Sequence, residues 1–329
     1  MLQGLRGKFL LSLLLGLLVV LALLLYGDLP RMLQALARFQ WRYLPAILGL
    51  VFLGYLLRFL RWDYYLGQIG VRGLSKRDSL LIFFSGFPMA ITPGKVGEWL
   101  KCYLLAEVKG TPVSRSAPVV VAERLSDGVA MALLGSGGLW LFGLGWEVLL
   151  GVLALAGLVV LLARFRPLAR RVWSLAQRLP LFSRGRRGEA LDQFYESSHI
   201  LLSPKNLAVA VGLGTVAWLG EGIAFYLVLE GLGMPGGWLL VVQAQFIMAV
   251  ATLAGAILLM PGGLGVAEGG LTGMAQTLLH MPRDLAATGT LLIRFFTLWF
   301  GVALGLVVLL ATLHRLGLLK RKALEPGAS

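Results

Sequence analysis

Thr92-Pro93-Gly94-Lys95-Val96-Gly97-Glu98 and Pro261-Gly262-Gly263-Leu264-Gly265-Val266-Ala267-Glu268 are two versions of one pattern. Each interrupts a strongly apolar stretch with helix breakers: Pro93, Gly94 and Gly97 in the first, Pro261, Gly262, Gly263 and Gly265 in the second. Each ends on a carboxylate. Irregular backbone and ionisable side chains are costly in hydrocarbon, and persist where protein buries them or where they line a cavity. Two such breaks in corresponding halves point to a transporter-like site between them.

Composition makes the membrane the only reasonable setting. The chain is 58% hydrophobic and only 14% charged, against roughly 25% charged in an average soluble domain. With no large polar block in its 329 residues, a separate soluble catalytic domain is not expected. The formal net charge of +14 would suggest nucleic acid in a soluble protein. Here the basic residues flank apolar spans, so membrane lipids with anionic headgroups are the expected partners and nucleic acid is not. Cys102 is the sole cysteine, and His199, His280 and His314 lack ligand spacing. Neither a metal site nor a cofactor is expected. No nucleophile–base–acid set, Walker loop or HExxH occurs, and no strand precedes Gly262-Gly263-Leu264-Gly265, so the chain does not read as an enzyme.

Apolar runs of about 20 residues license membrane spans. Full crossings are expected near 9–27, 43–62, 116–142, 147–163, 206–231 and 285–312. The first follows Arg6 and Lys8, shows no small-x-small cleavage site, and reads as a retained span. Segments 79–108 and 238–280 contain the breaks. The piece 79–91 makes only about 20 Å of helix, too short to span, so both segments are expected to be re-entrant hairpins. That arrangement also satisfies the positive-inside rule. It places both termini and the basic stretch 164–188 in the cytoplasm, with Arg72, Lys76, Arg77, Lys109 and Arg115. Arg31, Arg38 and Arg42 would fall outside, which calls for an interfacial helix after the first span. Leu168, Val172, Leu175 and Leu179 have helical spacing, read either as an amphipathic helix on the cytoplasmic leaflet or as part of a solvated basic loop.

The expected fold is an all-α polytopic membrane protein with about six full transmembrane helices and two re-entrant hairpins in an inverted repeat. Repeat 1 covers about 43–142 and repeat 2 about 205–312. A linker span and basic segment occupy 143–204, and a basic cytoplasmic tail 313–329. Aligning the breaks supports the repeat. Arg124 stands 31 residues after Pro93, and Arg294 stands 33 after Pro261. The span before each break carries a matching dipeptide, Leu53-Gly54 or Leu219-Gly220. The first span runs inward and the second outward, so the repeats are inverted.

A carboxylate in lipid must neutralise or find a cation. The expected pairs are Glu98 with Arg124 and Glu268 with Arg294. They either fasten each hairpin to the following span, or offer their arginines to a phosphate together with helix N-termini freed at the breaks. Lys95 has no counterpart in the second half and is a candidate headgroup contact. Glu123 and Asp127 share one helix face and, with Glu221, are candidates for ion or proton coupling or for structural salt bridges. Lys101 reads as a residue snorkelling to the interface. Arg58 and Arg61, with Trp62, Tyr64 and Tyr65, read chiefly as a basic-aromatic anchor, with headgroup contact as the second reading.

The two Pro-Gly motifs, Glu123-Arg124-Leu125-Ser126-Asp127 and Arg294, taken in order, resemble the flippase-like transmembrane region of lysylphosphatidylglycerol synthases, a region also found as stand-alone membrane proteins. The resemblance runs from about 10 to 312. It implies an inner-membrane module that moves a phospholipid or lipid-linked phosphate between leaflets, without lysyl-phosphatidylglycerol synthesis. The alternatives are a scaffold presenting lipid to a separate synthase or glycosyltransferase, and a small-solute secondary transporter.

Overall fold

The computed structural model describes residues 2–92, 96–143, 146–165, 188–258 and 260–315. The regular structure among them is entirely helical. In the first half, α1 is Leu2–Gly27, α2 Leu29–Arg38, α3 Leu44–Gln68, α4 Lys76–Ser85, α5 Val96–Lys109, α6 Val113–Phe142 and α7 Trp146–Arg164. The second half has α8 Gly188–Leu201, α9 Pro204–Gly231, α10 Trp238–Ile257, α11 Val266–Leu278, α12 Arg283–Arg294 and α13 Phe300–Arg315. Local chemistry sets several starts. Pro45 and Pro204 lie in the first turns of α3 and α9, where a missing N–H costs nothing. The Ser75 hydroxyl caps α4 by accepting from the Asp78 amide at 3.1 Å.

Among the described residues, five helices are long and apolar enough to cross a membrane: Leu10–Gly27, Trp41–Gln68, Pro204–Gly231, Trp238–Ile257 and Arg283–Thr312. Four of them coincide with expected crossings, while α6 occupies 116–142 and α7 occupies 147–163. The fifth, α10, is a difference from the sequence reading. It has 20 residues, roughly 30 Å of helix, so the arm before the second break can cross by itself. The first break has only short arms, with 10 residues in α4 and 14 in α5. The local pattern of apolar sequence, Pro-Gly and carboxylate is the same in both halves, but arm length is set by where the upstream turn falls.

Two orienting features lie largely outside the described residues: the basic stretch 164–188, with the amphipathic helix considered around Leu168 to Leu179, and the tail at 313–329. The amphipathic α2 stands where the sequence calls for an interfacial helix, with Met32 buried and Arg31 exposed beside Asp28.

The centre of the fold is the pair α3 and α9. Leu50 faces Gly220, Gly54 faces Ala217, and the Tyr64 hydroxyl donates to Asn206 Oδ1 at 2.6 Å. Numbers rise along one helix as they fall along the other, so these equivalent helices run antiparallel, as inversion of the repeats requires. The contact is reciprocal: a Cβ on Gly54 would sit 3.4 Å from the Ala217 carbonyl oxygen, and one on Gly220 3.4 Å from that of Leu50. Around this pair the halves exchange arms. α4 packs on α13 and α10 on α6, while α5 lies against α6 and α11 against α12. The second break reaches the middle of the fold, where Gly262 approaches Ile91 of the 3₁₀ turn Phe87–Ile91.

The close α3–α9 approach has a direct test. Gly220→Leu places a branched side chain against the Leu50 backbone and is expected to destabilise the protein by about 1–3 kcal/mol, read as a lower melting temperature in detergent. Gly49→Leu, on the same pair of helices but with nothing within 4 Å of the new Cβ, is expected to melt with wild type.

Candidate functional site

A cavity of about 240 Å³ lies where the 3₁₀ turn Phe87–Ile91, the start of α5, the second break, α3, α6 and α9 converge. Its charged lining comes from both halves: Arg58, Glu98, Arg124, Asp127, Glu221 and Arg294. A smaller chamber of about 90 Å³ adjoins it, sharing Arg58, Glu98 and Arg124 and adding Arg61, Lys101 and Glu123.

Both pairs expected from the sequence form. Arg124 Nε lies 3.1 Å from Glu98 Oε2, and Arg294 Nε donates to Glu268 Oε1 at 2.7 Å. They are not equivalent in use. Arg294 is nearly buried and also donates from Nη2 to the Gly262 carbonyl at 2.7 Å. Glu268 accepts from the Gly265 amide at 2.7 Å, so its own carboxylate takes up the helix N-terminus that might otherwise meet a phosphate. Together they lock the second break, whose Gly262, Gly263 and Gly265 have φ of 60°, 71° and 84°, a region that favours glycine. Arg124 is different. Its side chain is 42% exposed, and among the described carboxylates it reaches, besides Glu98, only Asp127 Oδ2, at 3.3 Å and without hydrogen-bond alignment. It is the lining cation with an open face.

The three coupling candidates are all paired. Glu123 accepts from Lys101 Nζ at 2.6 Å, Asp127 from Arg61 Nη1 at 2.7 Å, and Glu221 sits 2.6 Å from Arg58 Nη1. Those partners correct the sequence reading. Arg58 and Arg61 do not anchor α3 at the surface, because Arg61 is 1% exposed and bound to Asp127 and Ser126. Lys101 does not snorkel: it is buried, bonded to Glu123 and 4.5 Å from the Trp62 ring centroid. Arg58 lies over Trp218 at 4.5 Å, and the Trp218 indole donates to Asp127 at 3.1 Å. The missed signal was numerical. Arg58, Arg61 and Lys101 equal in number the carboxylates Glu123, Asp127 and Glu221 left without assigned cations.

Of the remaining candidates, Pro93, Gly94 and Lys95 lie outside the described residues, and Gly97 falls in the first turn of α5. Pro261 opens the 3₁₀ turn of the second break. Among the described residues the network is balanced, with five carboxylates facing five cations. A guanidinium presents a fork that matches phosphate. In a balanced site, a phosphate must compete with Glu98 for Arg124, which leaves an exchangeable contact rather than a permanent one.

Residues 9–305 match the family model described as the lysylphosphatidylglycerol synthase TM region, and the chain belongs to that family of membrane proteins. It is similar to a UPF0104 membrane protein of Methanothermobacter thermautotrophicus, 25% identical over 320 residues, covering 89% of this chain and 90% of that protein. A further UPF0104 match from the same organism is 26% identical over 277 residues, covering 76% of this chain and 77% of the other.

The buried Arg61–Asp127 pair yields a stability prediction. Asp127→Asn leaves Arg61 charged and uncompensated, at an expected cost of about 3–5 kcal/mol, measured by denaturant titration in micelles. The apolar double variant Arg61→Met/Asp127→Leu is expected to recover most of that loss.

Proposed function

We propose that this member of the lysylphosphatidylglycerol synthase transmembrane-region family is a lipid translocase, moving a phospholipid or lipid-linked phosphate between leaflets. The observation that carries this reading is the balanced, charged cavity between the halves, with half-exposed Arg124 as its open cation. The headgroup phosphate exchanges with Glu98 for the Arg124 guanidinium, and Arg58, which also lines the cavity, stands ready to share it. In this reading Glu98 and the second break reach the cavity from opposite halves of the fold, the chain lies in the cell membrane, and both termini are cytoplasmic. Movement is passive or ion-coupled. Glu123, Asp127 and Glu221 are the candidates for that coupling.

The paired halves support translocation over lipid presentation. A scaffold needs access from one leaflet, whereas antiparallel α3 and α9 with exchanged arms give the cavity equivalent surroundings toward both.

Leaflet exchange of fluorescent phospholipids and polyprenyl phosphates in proteoliposomes tests the proposal. Wild type is expected to accelerate exchange of at least one phosphate-bearing lipid. Arg124→Ala is expected to slow it by about 10- to 100-fold, the loss of one hydrogen-bonded charge contact. Exchange no faster than in protein-free vesicles for every lipid, or equal rates in wild type and Arg124→Ala, defeats the proposal.

A further inference from the structure

A larger cavity of about 550 Å³ opens on another face, between α1, α2, α12 and the π-helical turn Phe295–Trp299. Its walls are aliphatic and aromatic, including Val20, Leu24, Leu33 and Leu291, and its only charged lining residues are Glu268 and Arg294. Arg294 is also the one described residue that lines both this groove and the central cavity. The wall between the apolar groove and the charged chamber is built from the second break, the start of α11 and the turn Phe295–Trp299, with Arg294 reaching both sides. The groove lies against two apolar spans, Leu10–Gly27 and Arg283–Thr312, where the surrounding solvent is lipid hydrocarbon.

We infer that this groove binds a hydrocarbon chain of the lipid whose headgroup occupies the central cavity, with Arg294 as the positioning residue at the passage between them. The inference rests on the proposed translocation and adds a route to it. A lipid is apolar along its chains and charged at its phosphate, and the two cavities have that polarity in that order. A docked protein helix would cover the apolar walls equally well, but would set its own apolar surface against Glu268 and Arg294. A lipid puts its phosphate there. Arg294 is held by Glu268 and the Gly262 carbonyl, so a phosphate arriving from the groove meets a guanidinium already oriented. The π-helical turn follows Arg294 directly, and such local widenings of a helix recur at functional sites.

The test uses the full chain in vesicles of phosphatidylglycerol and phosphatidylethanolamine carrying a trace phospholipid with a photoreactive acyl chain. Crosslinks are expected to concentrate on α1 and α12 and to fall when unlabelled lipid competes. Val20→Trp, and independently Leu24→Trp, fill the groove and are expected to slow leaflet exchange about tenfold. Leu155→Trp, at an exposed site on α7, is expected to leave it unchanged. Crosslinks spread evenly over the spans and insensitive to competition mean annular lipid only, and overturn the inference. Wild-type exchange rates in both filled variants also overturn it while leaving the proposed translocation standing. No exchange by wild type defeats the translocation proposal and this inference together.

Discussion

A carboxylate carried into a hydrocarbon slab has to be matched, and the rest of this structure follows from how the matching is done. Glu98, Glu123, Asp127, Glu221 and Glu268 each have a cation, and the cations are Arg124, Lys101, Arg61, Arg58 and Arg294. An unpartnered charge at that depth costs several kcal/mol, so each pair ties together the helices that supply it. Arg58–Glu221 joins α3 to α9, Arg61–Asp127 joins α3 to α6, and Lys101–Glu123 and Arg124–Glu98 join α5 to α6. Arg294–Glu268 joins α12 to α11. The second break is tolerable for the same reason. Its exposed backbone faces a polar interior: the Gly262 carbonyl accepts from Arg294, and the Gly265 amide donates to Glu268.

Balance has a functional consequence as well as a structural one. A cavity with surplus positive charge would hold a phosphate too firmly to pass it on. One whose cations are all committed elsewhere would not admit it. Here four pairs are largely buried, whereas Arg124 is half-exposed and shared between Glu98 and Asp127. Of the rigid pairs, Arg58–Glu221 ties one half to the other and the remaining three brace helices within a half, while the loose pair is where exchange can occur. Arg294 stands at the other boundary, lining both the charged chamber and the apolar groove.

Much of this was legible in the sequence, for reasons that are local. Apolar runs placed α1, α3, α9 and the α12–α13 span, because hydrocarbon selects them residue by residue. The Pro-Gly breaks and the glutamate after each are short-range patterns, and Glu98–Arg124 and Glu268–Arg294 followed from aligning them. Arg58, Arg61 and Lys101 were misread for the complementary reason. A basic residue beside Trp62 and Tyr65 near the end of a span looks like an anchor until its partners on α6 and α9, far away in the chain, are brought to it. The length of α10 was obscured in the same way. The break that follows it resembles the first break closely, and only the position of the preceding turn makes one arm 20 residues and the other 10.

The central claim is that a lipid phosphate takes the place of Glu98 on Arg124 inside the membrane. Solid-state NMR of the protein in phospholipid bilayers, with ¹⁵N-labelled arginine, measures guanidinium nitrogen to phosphorus proximity directly. The account predicts dipolar contact at hydrogen-bonding range that disappears in Arg124→Gln. No such contact, or one that persists unchanged in that variant, would contradict it.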